Sequence, residues 1–186
     1  MNPTINKKDF EDLTSNLKDF AYSYIEKYNP SKQQLKIFLL KKYLKKYRGS
    51  KIKKEVTQII DEILTGLENN KLINDEIYSD SKARSLLRKG YSINKINSSL
   101  RAKGISENFI KDTIKKIKEK NIETDFISAI RLCKRRRIGP LRPDANRELF
   151  YKKDMGILAR SGFSYDISKK ILSMTQKEFN QLIKII

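Results

Sequence analysis

The chain has 186 residues, 38% hydrophobic and 34% charged, with 41 Lys and Arg against 22 Asp and Glu, no histidine and a formal net charge of +19. Zinc sites built on Cys and His are excluded, as is an internal disulfide, because Cys133 is the only cysteine. No stretch approaches the roughly 20 apolar residues that span a bilayer, and Lys7, Lys8 and Asp9 stand where a signal peptide needs an apolar run, so a cytoplasmic protein is expected.

The apolar spacing is helical from the start. Phe10, Leu13, Leu17, Phe20, Ala21, Tyr24 and Ile25 form one stripe, which predicts a first helix over 10 to 28. Ser31 and Gln34 fit a capping box and open a second helix to about Tyr47, where Gly49 and Ser50 break it. A third follows from 51 to 69, with Val56, Ile59, Ile60, Ile63, Leu64 and Leu67 inward. Asn74 or Asp75 caps a fourth, which carries Tyr78, Leu86 and Leu87 and stops at Gly90. A short fifth helix runs from Ser92 to Lys103, and Ser106 opens the sixth with Phe109, Ile110, Ile114 and Ile117. The seventh begins at Glu123 and runs through Phe126 and Ile130 into Lys134-Arg135-Arg136-Arg137, with Ile138-Gly139-Pro140 as its stop. After a connection containing Pro143, a helix is predicted over 146 to 160 and a short one after Ser164. Thr175 and Glu178 then cap the last.

Three copies of one punctuation mark organise these helices: Asn29-Pro30-Ser31, Gly90-Tyr91-Ser92 and Gly162-Phe163-Ser164. Glycine suits the left-handed position after a helix, and serine caps the next one. The expectation is an all-α chain of three tandem three-helix repeats, 1–70, 71–121 and 122–186. The longer third repeat carries a basic, proline-containing insertion.

The second unit resembles the RecX family, bacterial regulators of the recombinase RecA. The resemblance lies in Leu72-Ile73-Asn74-Asp75 leading to Tyr78, in Lys89-Gly90-Tyr91-Ser92, and in Ile96, Leu100-Arg101, Lys103-Gly104-Ile105 and Ile110. It extends to Ala129, Ile138-Gly139-Pro140 and Arg160-Ser161-Gly162-Phe163-Ser164-Tyr165, and backward to Ala21, Tyr24, Ser31 and Leu35. One departure is Ser79, where the family usually has alanine. The resemblance implies an elongated, curved, non-enzymatic regulator, a monomer without cofactors. Its partners would be RecA and the RecA filament on single-stranded DNA, whose recombinase and ATPase activity it would mostly inhibit.

Such an excess of positive charge favours polyanions, although the surplus of lysine over arginine also fits AT-rich coding. Between Ser31 and Lys54 there are ten basic residues and no acidic one, and Lys41, Lys45 and Arg48 share a face opposite Leu35, Leu39 and Tyr43. Arg131, Lys134, Arg135, Arg136, Arg137, Arg142 and Arg147 form a second cluster, in which arginine recurs despite the lysine bias. Guanidinium binds phosphate and carboxylate bidentately, as ammonium does not. Arg84, Arg88, Lys89, Arg101 and Lys103 flank the middle glycine. Tyr43, Tyr47, Tyr91 and Tyr151 interleave with these charges, a pattern open either to base stacking or to ordinary packing. No nucleophile motif, glycine-rich phosphate loop or paired carboxylate in an apolar setting accompanies them, so neither an enzyme nor a metal site is expected. The residues by themselves also fit a basic helical module that binds single- or double-stranded DNA without RecA, or an adaptor on an acidic protein or membrane surface.

Overall fold

The computed structural model describes residues 7–46, 54–120 and 124–185. These form α1 (Lys7–Tyr28), α2 (Lys32–Lys46), α3 (Lys54–Asn69), α4 (Asp75–Arg88), α5 (Ile93–Arg101), α6 (Glu107–Lys120) and α7 (Thr124–Arg136). A 3-10 turn (Gly139–Leu141) follows, then α8 (Asp144–Arg160), α9 (Tyr165–Leu172) and α10 (Gln176–Ile185). No strand occurs among the described residues, so the protein is all-α. The break expected at Gly49 and Ser50 lies outside the described residues. Two compact units emerge: one runs through Tyr78 and takes in Lys103–Ile105, and the other holds Ser79–Ala102 and the chain from Ser106 onward.

In the first unit α1, α2 and α3 pack around Leu13, Leu17 and Ala21, Leu35 and Leu39, and Ile60, Leu64 and Leu67. Each such large side chain contributes about 1.5–3 kcal/mol by leaving water. Tyr24 stacks on Phe38, ring centroids 4.0 Å apart. Asn29 takes the left-handed conformation at the end of α1, with φ 40°. It does there what glycine does in the other two copies, because asparagine tolerates this region better than most residues. The Ser31–Gln34 capping box forms: the Gln34 amide donates to Ser31 Oγ at 3.3 Å and the Ser31 amide to Gln34 Oε1 at 3.3 Å.

The first helical amide of α2, that of Lys32, donates to Asp75 Oδ1 at 2.8 Å. The choice left open between Asn74 and Asp75 is thereby resolved. Asn74 Oδ1 caps α4 itself, accepting from the Ile77 amide at 3.0 Å, while Asp75 reaches back to cap α2. Burial pushes the Asp75 carboxyl above its ordinary value, more than the Lys32 amide lowers it.

The same device recurs in the second unit. Ser92 Oγ caps α5 by accepting from the Lys95 amide, and the Ile93 amide donates to Asp125 Oδ1 of α7 at 2.7 Å. Gly90 (φ 71°) and Gly162 (φ 90°) are left-handed stops, and both also lie against other backbone. A Cβ on Gly90 would come within 2.6 Å of the Leu132 amide nitrogen and 2.7 Å of the Ser128 carbonyl oxygen of α7. One on Gly162 would collide with Ser92 Oγ. Glycine here is therefore set by helix packing as well as by φ.

The remaining core gathers Ala129, Ile130, Leu132 and Cys133 of α7 with Leu158, Ile171, Leu172 and Phe179. Ser79, the departure from the family pattern, is fully buried, and its hydroxyl lies 2.9 Å from that of Thr113. Thr113 gives its own proton to Asp80 at 2.7 Å, so Ser79 donates to Thr113. A hydroxyl chain thus replaces the apolar contact of alanine. Helix α8 begins at Asp144, two residues before the sequence prediction. Pro143 is its N-cap, and the Asn146 amide donates to the Pro143 carbonyl at 2.9 Å, so the proline starts this helix instead of belonging to a loose connection.

Candidate basic interface

Cations that share a sequence cluster part company once folded. In the first unit, Lys32 pairs with Glu68 at 2.6 Å and Lys36 with Asp61 at 2.5 Å. Lys42 lays its ammonium over Phe20 at 4.7 Å, and Tyr43 is a core residue, not a stacking platform. Lys41 and Lys45 remain exposed on α2, with no carboxylate partner among the described residues. Arg48 and Tyr47 lie outside the described residues. Lys103 is half-buried and contributes its carbonyl oxygen, which accepts from Ser31 Oγ at 2.7 Å.

The arginine-rich cluster of the second unit divides more sharply. Arg142 forms a two-pronged pair with Asp154, Nε to Oδ2 at 2.6 Å and Nη2 to Oδ1 at 2.8 Å, with its guanidinium 4.4 Å from the Phe150 ring centroid. Asp154 is buried and also accepts from the Gly139 amide at 2.8 Å. These hydrogen bonds hold the Arg142 guanidinium above its ordinary pKa. Arg147 donates to the carbonyls of Leu172 and Met174, closing the free C-terminal end of α9, and lies 3.6 Å from Asp144. Arg101 pairs with Glu107 through two bonds of 2.5 and 3.0 Å. The charged groups of Arg142, Arg147 and Arg101 are thus engaged within the chain.

Lys134, Arg135, Arg136 and Arg137 are exposed at the C-terminal end of α7, where positive charge is also favoured by the helix dipole. The helix stops at Arg137, itself left-handed with φ 52°, and the Ile138 amide returns to the Cys133 carbonyl at 3.2 Å. The expected stop at Gly139-Pro140 is instead a 3-10 turn just beyond it.

Folding joins this run to the middle cluster. Gly90 seats the end of α4 on the α7 backbone, and Arg135 lies over the Tyr91 ring, 5.8 Å from its centroid. Exposed Arg88 and Lys89 at the end of α4 therefore share a surface with the basic end of α7, and none of these residues has an ion pair among the described residues. Arg131 is half-buried, one turn earlier on α7. Asp125 and Asp154 were missed from sequence, and Asp75 was named there only as a candidate cap for α4, not for α2. The only sequence signal for them was that acidic residues are scarce among so many cations.

Among the described residues no group of three His, Cys, Asp or Glu is placed to hold a metal ion, and no helix is long and apolar enough to cross a membrane. These features define a basic protein of capped helices with exposed, unpaired cations in each unit. The model of the second three-helix domain of RecX matches residues 74–114. The regulatory protein RecX of Myxococcus xanthus is 32% identical over 160 residues, covering 84% of this chain and 83% of that protein. That of Agrobacterium fabrum is 28% identical over 116 residues, covering 61% of this chain and 58% of that protein. The chain belongs to the RecX family of regulatory proteins. The crystal structure of RecX from Lactobacillus salivarius shares the fold, with a TM-score of 0.59 at 20% identity over 92% of this chain and 99% of that one. A second crystal structure titled regulatory protein RecX gives 0.59 at 22% identity over 92% of this chain and 79% of that one.

Proposed function

We propose that this protein binds RecA and its filament on single-stranded DNA and restrains recombinase and ATPase activity, so regulating DNA repair and recombination in the cytoplasm. The observation that carries this reading is the surface formed by Arg88, Lys89 and Lys134 to Arg137, cationic and without internal partners, on a member of a regulatory family. In the first unit, exposed Lys41 and Lys45 of α2 are further candidates for contact with the filament. Such charge speeds encounter with a polyanionic filament, and shape then selects it. The regulator would act without catalysis or cofactor, as modules 1–70, 71–121 and 122–186. Recurrence of the aspartate cap, Asp75 on α2 and Asp125 on α5, supports modules that lock to their predecessors.

The test is RecA ATPase on single-stranded DNA with substoichiometric protein added. Arg135→Gln, Arg136→Gln and Arg137→Gln together should weaken inhibition about tenfold to a hundredfold while helicity stays intact, given about 0.5–1 kcal/mol per exposed contact. Unchanged ATPase with the parent protein refutes the reading. Tight, salt-sensitive duplex binding in the absence of RecA would instead favour a plain DNA-binding module.

A further inference from the structure

A cleft of about 470 Å³ opens within the second unit between α4, α6 and α7, a size typical of ligand sites. Arg84 of α4 and Arg131 of α7 stand on two of its walls, with Leu87 and Ile127 beside them. Neither arginine has an ion pair among the described residues. The other charges at the cleft are already matched, Lys116 to Asp80 at 3.2 Å and Glu119 to Lys115 at 4.0 Å. Two guanidinium groups therefore set its residual field.

Ser128 also lines the cleft, is 0% exposed, and has an Oγ without a hydrogen-bond partner. A buried hydroxyl left in that state is costly, which points to a polar group supplied by an occupant. No aromatic ring lines the cleft for base stacking, and its apolar side chains, Leu87, Ile117 and Ile127, are aliphatic, which suits a peptide side chain better than a base.

We propose that this cleft docks an acidic peptide segment of a partner protein. A carboxylate is held between Arg84 and Arg131, Ser128 Oγ donates to it or to a peptide carbonyl, and a neighbouring aliphatic side chain packs on Leu87 and Ile127. The site is separate from the exposed basic end of α7, and its test needs no recombinase.

The probe is a fluorescein-labelled Leu-Glu-Leu-Glu-Leu peptide, titrated by anisotropy into the full chain. Arg131→Gln should weaken binding about tenfold, the loss of one charge-assisted bond, and Arg84→Gln, at an exposed position with little risk to folding, should do the same. Ser128→Ala should weaken binding without lowering the unfolding midpoint. Equal affinity for the parent and both arginine variants overturns the proposal. So does equally tight binding of the peptide with serine in place of leucine, which would mean charge attraction alone. Direct binding of labelled oligothymidylate that depends on Arg84 and Arg131, without any peptide binding, overturns it in favour of nucleic acid.

Discussion

Arg142→Gln separates a scaffold arginine from an interface arginine. It leaves the Asp154 carboxylate, 1% exposed, with the Gly139 amide as its remaining donor. Removing one member of a buried pair costs about 3–5 kcal/mol in general. Here the retained amide bond and the 19% exposure of the Arg142 side chain reduce the loss, while the vacated face of Phe150 adds a little to it. The expected destabilisation is about 2–4 kcal/mol, a large part of a typical domain's 5–15. Since the chain has no tryptophan, far-ultraviolet circular dichroism during urea unfolding is the suitable assay. A double variant, Arg142→Met with Asp154→Leu, should recover much of the loss, because it leaves no charge stranded. A stability change under about 0.5 kcal/mol for Arg142→Gln would refute the reasoning, and loss of RecA inhibition alongside it would move Arg142 to the interface.

Three further outcomes are expected. Gly90→Ala should destabilise by about 2–4 kcal/mol, from left-handed strain and from contact with the α7 backbone; Gly66→Ala, with nothing within 4 Å of the new Cβ, should stabilise slightly in the same urea assay. Burial alone would raise the Asp80 carboxyl, but hydrogen bonds from Thr113 and Lys116, with Arg84 nearby, outweigh it and hold the group below its ordinary value. The folded state then binds this proton more weakly than the unfolded one, so its stabilisation is present above about pH 4 and lost as pH falls through the folded value. Asp80→Asn should remove that part of the acid dependence in urea midpoints measured on either side of this range. Burial, reinforced by the charge of Asp154, pushes the Cys133 thiol up to about 12, so it should resist a disulfide reagent at neutral pH and react once urea unfolds the second unit.

Much of the architecture was legible because helix formation is local. Apolar stripes at three and four residue steps located the helices, and Ser31, Ser92, Ser164 and Thr175 each bond to a residue three positions on. Clusters of charge were legible as clusters and not as sites. Arg135 and Arg142 look alike in sequence, yet one lies in the open over Tyr91 and the other is bound to a buried aspartate twelve residues away.

Composition, periodicity and capping residues thus determined by themselves an all-α, strongly basic chain with repeated helix stops, since each of those signals acts within about one helical turn. Only the tertiary structure decided that Asp75 and Asp125 cap the helices of preceding segments, that Gly90 must lie flat against α7, and which cations stay unpaired. Those outcomes depend on partners 32 and 43 residues apart for the two aspartates, and on backbone approach measured in tenths of an ångström at Gly90. Packing sets such separations, and no local pattern encodes them.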